Sequence, residues 1–132
     1  MKVQFLNQEH QTKFQEIRSE MAEDYRFNKE HLAVVFIMTG DEELYRKMTP
    51  YFDTKDGLFV SFKMFAEQDF SNGMGILAKL AAHLFNGYET VSPIDLVDTL
   101  DDERLKLAIN AILFRRYGLS NSYDLPEEKL YL

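Results

Sequence analysis

Any chemistry in this chain has to come from three histidines, six serines, one closely spaced glycine pair and many carboxylates, because cysteine is absent. That absence removes disulfides, thiolate nucleophiles and cysteine-ligated metal sites together. His10, His31 and His83 form neither H-x-x-x-H nor H-E-x-x-H, the spacings that aim two imidazoles at one metal from a single helix face. His83, between Ala82 and Leu84, reads as a hydrogen-bonded or half-buried side chain rather than a ligand. Ser19, Ser61, Ser71, Ser92, Ser120 and Ser122 include no G-x-S-x-G elbow, and Ser71 and Ser92 stand where helix caps are needed. No G-x-x-x-x-G-K-[ST] phosphate loop occurs. An enzyme is therefore unsupported by any motif, no catalytic residue is assigned, and neither a cofactor nor a metal is expected.

Two weaker patterns remain. Gly73-Met74-Gly75-Ile76-Leu77-Ala78 fits G-x-G-x-x-A, in which glycines let a pyrophosphate approach a helix N-terminus. A true fingerprint follows a buried strand, and Ala66-Glu67-Gln68-Asp69-Phe70 is not one, so these glycines are expected to start a helix and allow close packing. Residues 53–57 superficially resemble a calcium loop, but Lys55 and Gly57 take its third and fifth positions and Met64 its twelfth. None of the three supplies the oxygen ligand required there. A plain turn is the better reading.

Carboxylates are the most distinctive feature. With 15 Lys+Arg against 22 Asp+Glu, the formal charge is −7, and the acids gather at Glu20, Glu23 and Asp24, at Asp41, Glu42 and Glu43, and at Asp95, Asp98, Asp101, Asp102 and Glu103. Acids in the first turn of a helix stabilise it by roughly 0.3–1 kcal/mol each, which accounts for several of them. The sharper reading assigns Asp95, Asp98, Asp101, Asp102 and Glu103 to a patch that binds a protein partner with a basic surface. The negative balance argues against direct nucleic-acid binding, which needs concentrated basic charge.

The elements that must position these residues are mostly helices. Asn7 is placed to cap a helix over residues 8–24, with Phe14, Ile17 and Met21 on one face. Asn28 opens a second, whose residues 32–38 are apolar on all sides; their β-branched content also suits a buried strand. Asp41 starts a short helix that Pro50 ends. Residues 51–70 are the least helical and suggest a small hairpin or irregular loop around the 53–57 turn. Ser71 or Asn72 opens a helix over 73–85 that stops at Asn86 and Gly87. Ser92 and Pro93 start one ending near Thr99, and Asp101 caps a long one that stops at Gly118.

These patterns predict a mainly α, compact single-domain helical bundle over residues 1–118, followed by a C-terminal tail over 119–132. A chain of 132 residues buries roughly two-thirds of its unfolded surface, enough for one core without staples. The longest apolar run, residues 32–38, falls far short of the roughly 20 residues of a membrane span, and the charged first thirty residues contain no signal-peptide core. No membrane association and a cytoplasmic location follow as expectations. Leu125, Leu130, Tyr131 and Leu132 give the tail an apolar character suited to docking on its own domain, on a partner or on a second copy in a homo-oligomer.

Phe5-Leu6-Asn7-Gln8-Glu9-His10, Phe36-Ile37-Met38-Thr39-Gly40-Asp41, His83-Leu84-Phe85-Asn86-Gly87-Tyr88 and the stretch from Leu100-Asp101-Asp102-Glu103 to Tyr117-Gly118 resemble landmarks of a family of small domains of unknown function from Gram-positive bacteria and their phages. The resemblance spans residues 5–118. Its motifs are caps, stops and core segments, so it implies a shared fold and a phage or mobile-element context, with no catalytic residue to carry over.

Two functions are weighed on this basis. The first is a non-enzymatic acidic protein-interaction domain, in bolder form an inhibitor of a host defence or nucleic-acid enzyme. The alternative is a small-molecule or nucleotide-binding domain using the helix start at 73–78, which requires a concave pocket there.

Overall fold

A helix that is apolar on every side has nowhere to go but the centre, and residues 32–38 obey that rule. They are helical, which settles the choice between helix and strand, and each is inaccessible to solvent. In the computed structural model, which describes residues 2–119, this helix is α2 (Lys29–Met38). Around it pack α1 (Gln8–Glu20), α3 (Glu42–Met48), α5 (Asn72–Asn86) and α7 (Asp102–Tyr117). The strands β1 (Phe52–Asp53) and β2 (Leu58–Phe59), with α4 (Ser61–Glu67), α6 (Pro93–Thr99) and two short 3-10 turns, Glu23–Tyr25 and Thr49–Tyr51, complete the described elements. The fold is mainly α with one small antiparallel sheet, in which Phe52 pairs with Phe59 and Asp53 with Leu58.

Local rules set most of the boundaries. Asn7 accepts the His10 N–H at 2.8 Å and Asn28 accepts the His31 N–H at 3.0 Å. Asp41 accepts from both Glu43 and Leu44, and Gly87, at φ +75°, ends α5 in the left-handed conformation. Two expectations need correction. The first helix ends at Glu20 rather than Asp24, because Met21 turns extended, buries its side chain, and is followed by a backbone bond from Ala22 N–H to Thr54 carbonyl. Within 51–70 the hairpin is present, but residues 61–67 are helical. That helix starts at Val60 without a side-chain cap and is anchored by buried Met64.

The hairpin is tied back to the core. Asp53 Oδ1 accepts the N–H groups of Lys55 and Asp56, the plain turn that the residue types indicate. Gly57 has φ +69°, and a Cβ there would stand 2.5 Å from the Tyr25 ring. His31 Nε2 lies 2.7 Å from the Gly57 carbonyl, so the turn is fastened to α2. The tail falls, Leu119 aside, outside the described residues; Leu119 itself packs against the core.

Phe36 stands at the centre of the ring cluster, 5.2 Å from Phe5, 6.3 Å from Phe14 and 5.5 Å from Phe114, centroid to centroid. Phe36→Ala is expected to lower the unfolding free energy by about 3–5 kcal/mol, measured by urea denaturation against the parent chain. A loss below about 1 kcal/mol would mean that this cluster is not where stability resides.

Candidate functional site

The five acids singled out in the sequence run from the first turn of α6 to the first turn of α7, and all are exposed. What separates them is the work each already does. Ser92 accepts the Asp95 N–H at 3.2 Å through its hydroxyl, while the Asp95 carboxylate accepts the Ser92 N–H at 3.1 Å. This reciprocal box starts α6, and the Ser92 N–H holds the Asp95 carboxyl below the usual carboxylate range. Asp101 caps α7 by accepting the Arg104 N–H at 2.9 Å, and it lies 3.6 Å from the Arg104 guanidinium. Asp98, Asp102 and Glu103 accept no hydrogen bond and close no ion pair among the described residues.

On α6 with Asp98 lie apolar side chains that the residue pattern alone did not single out. Ile94 and Val97, three positions apart on one face of α6, are 60% and 61% exposed, while Leu96 is the buried residue of that helix. The signal was available in principle. A seven-residue helix with three aliphatic residues spaced as Ile94, Leu96 and Val97 cannot bury all of them on one side.

A polar cleft of about 320 Å³ lies where the N-termini of α1, α3 and α7 meet, lined among others by Asn7, His10, Lys13, Asp41, Glu103 and Arg104. Glu103 aside, its charges are spent on one another. Arg104 donates to Asp41 at 2.8 Å, and Lys13 bonds Glu42 at 3.2 Å and approaches Glu9 at 3.4 Å. The Glu42 bond raises the Lys13 ammonium above its ordinary value. His10, at the cleft wall, is similarly occupied: Nε2 donates to the Phe36 carbonyl at 2.8 Å and Nδ1 accepts the Leu6 N–H at 3.1 Å. An imidazole with both nitrogens engaged has no lone pair left to act as a general base.

The other sequence candidates are placed just as definitely. His83 is exposed and its Nδ1 lies 2.7 Å from the Glu89 carbonyl, so it is a surface contact at the end of α5. Both ring nitrogens of His31 face oxygens at 2.7 Å, from Asn28 and Gly57. Among the described residues no group of three or more His, Asp or Glu side chains could hold a metal. Gly73 and Gly75 lie in the first turn of α5. The Gly75 N–H is used by the Ser71 carbonyl at 2.7 Å, and Cβ positions at the two glycines would meet Leu100 at 3.6 Å and Phe70 at 3.5 Å. Ser71 does not cap α5 through its side chain; its N–H and hydroxyl both donate to Glu43.

Residues 1–125 match a family described as one of unknown function, DUF6075, and the chain belongs to that family. No curated protein and no solved structure matches it. No helix among the described residues is long and apolar enough to cross a membrane.

Burial of His10 disfavours its charged form and lowers its pKa from 6.5 to about 4, outweighing the opposite effect of its bond to Phe36. The unfolded chain therefore takes up a proton near pH 6.5 that the folded chain refuses until about pH 4. Stability from this group is complete above pH 6.5 and is lost as pH falls through that window, amounting to about 3 kcal/mol. Denaturation of the parent chain across pH 4–7 should show this slope and His10→Gln should lack it. Equal slopes in the two proteins would contradict the assignment.

Proposed function

We propose that this member of the DUF6075 family is a non-enzymatic acidic protein-interaction domain whose contact surface is the α6–α7 corner. Asp98, Asp102 and Glu103 meet the partner's basic groups, with Asp95 and Asp101 beside them adding field while serving as caps. One observation carries this reading: Asp98, which pairs with nothing in the described chain, shares the short helix α6 with Ile94 and Val97, two large aliphatic side chains left in water. Helix capping alone explains the acids at Asp95 and Asp101 but gives no reason for neighbouring apolar exposure. An apolar centre with a charged rim is the anatomy of an association surface.

The partner that fits is a protein with a basic rim and an apolar contact, recognised in part through electrostatic steering. In its bolder form the domain is a phage or mobile-element product acting in the cytoplasm, where it covers the basic surface of a host defence or nucleic-acid enzyme. That form is supported by the charge and by the resemblance to small phage-associated domains. Occupied charges in the polar cleft and the engaged ring of His10 favour an interaction role over catalysis.

Affinity purification at low salt with mass spectrometry identifies the partner, and its affinity is then compared between the parent and a variant carrying Asp98→Lys, Asp102→Lys and Glu103→Lys. The variant should bind at least about tenfold more weakly with a shallower salt dependence, as expected when a charged rim is reversed. Asp101→Asn, which keeps a competent cap, controls for helix stability. Failure to retain any partner, or unchanged affinity and salt slope in the triple variant, would contradict the proposal.

A further inference from the structure

The two histidines that the fold buries are hydrogen-bonded in opposite senses. His10 faces one acceptor, the Phe36 carbonyl, and one donor, the Leu6 N–H, so a single ring proton satisfies both of its nitrogens. His31 faces two acceptors. Its Nδ1 lies 2.7 Å from Asn28 Oδ1 and its Nε2 lies 2.7 Å from the Gly57 carbonyl, in a residue only 9% exposed. The Asn28 amide cannot be turned round to relieve this, because the same Oδ1 accepts the His31 backbone N–H at 3.0 Å and so caps α2. A peptide carbonyl only accepts. For both ring bonds to be made, each nitrogen must carry a proton, and that species is the imidazolium.

The neighbours of the ring suit a cation without supplying a counter-charge. Tyr25 lies 4.6 Å away, centroid to centroid, and the rings of Phe52 and Phe85 stand at 6.4 and 5.1 Å. The ionisable groups on the elements around it are engaged elsewhere or point to water. Glu30 of α2 pairs with Arg115 of α7 at 3.1 Å, and Lys29 donates to the Arg116 carbonyl. Asp53 holds its own turn, Lys55 and Asp56 are exposed, and His83 of α5 faces the Glu89 carbonyl. The Gly57 carbonyl and Asn28 are thus the polar partners of the ring.

We propose that His31 is a proton-dependent latch: doubly protonated, it fastens the 53–57 turn to α2, and loss of one proton releases the Gly57 carbonyl and loosens the hairpin. Gly57 is the side that yields because Asn28 Oδ1 is kept beside the ring by its cap bond, one turn away on the same helix. The turn then relies on its other tie, from the Ala22 N–H to the Thr54 carbonyl. Imidazole side chains change charge between about pH 5 and 8, so the latch closes on the acid side and opens as pH rises. This is the reverse of His10, whose contribution is lost as pH falls. The latch is separate from the α6–α7 corner and does not rest on the reading of that surface.

The test follows the full chain by NMR from pH 5 to pH 8. Long-range ¹H–¹⁵N spectra should show both His31 nitrogens protonated at the acid end, and the Gly57 carbonyl ¹³C shift should move with the loss of one of those protons. Protection of the Ala22 and Gly57 amides, corrected for intrinsic exchange, should fall at least about tenfold over the same range, as loss of a hydrogen bond to a charged group implies. His31→Gln should abolish that pH dependence. Asn28→Asp, which keeps a competent cap and places a carboxylate at the ring, should move the release to higher pH, a shift that a purely structural histidine would not show. Because the parent chain and Asn28→Asp each give a reading, a folding defect in His31→Gln leaves the test intact. The proposal is overturned if the ring holds one proton while the Gly57 carbonyl stays bonded, if hairpin protection is the same at pH 5 and pH 8, if folded His31→Gln keeps the pH dependence, or if Asn28→Asp leaves the release where it is in the parent.

Discussion

Everything else in this molecule is arranged around the need to dry a helix that has no wet face. Seven consecutive residues of α2, 32–38, are fully buried, and burying a large apolar side chain is worth about 1.5–3 kcal/mol. The cost lies at the helix ends, where carbonyl and amide groups would be stranded among apolar neighbours. The described residues satisfy them with side chains. Asn28 takes the His31 N–H. At the other end the Gly40 N–H turns to Ile37 instead of Phe36, and the His10 ring donates to the Phe36 carbonyl in its place, while the Thr39 hydroxyl donates to Val35. His10 is therefore a neutral structural plug, and its acid sensitivity is a by-product of closing the core.

That arrangement sorts the charges by purpose. Asp41, Asp95 and Asp101 cap helices. Glu9, Glu42, Glu43 and Glu30 pair with Lys13, Lys47 and Arg115. Arg104 bridges two caps, Asp41 and Asp101, and so locks the start of α7 against the start of α3. Once those tasks are assigned, Asp98 stands out because it accepts no hydrogen bond, closes no ion pair among the described residues and shares α6 with exposed Ile94 and Val97, whereas Asp102 and Glu103, also unpaired, sit in the first turn of α7 where the helix dipole favours them. The net charge alone says little about function, since most of it is local structural chemistry.

What the sequence made legible was local. Asn7, Asn28, Asp41, Ser92 and Asp101 cap the helices they precede because a cap bonds a backbone amide two or three residues away, and the residue types declare it. Residues 32–38 declared burial through their lack of a polar side but left helix and strand open until α1, α3, α5 and α7 surrounded them. Other features depend on partners far along the chain. Nothing near Ser71 announces that its hydroxyl serves Glu43, nothing near Arg104 points 63 positions back to Asp41, and Gln4 meets Asn110 across 106. α4 went unseen because Val60 offers no cap. The acids of the candidate surface were all visible; their division into caps and unspent groups was not.

The fold opens only when α2 is exposed, while the α6 edge is peripheral and yields by itself. Native-state hydrogen exchange measures this directly. Amides in the buried part of α2 should exchange only with the free energy of global unfolding, and those of α6 through smaller, local openings. Exchange of the α2 amides at the same low free energy as those of α6 would contradict the account.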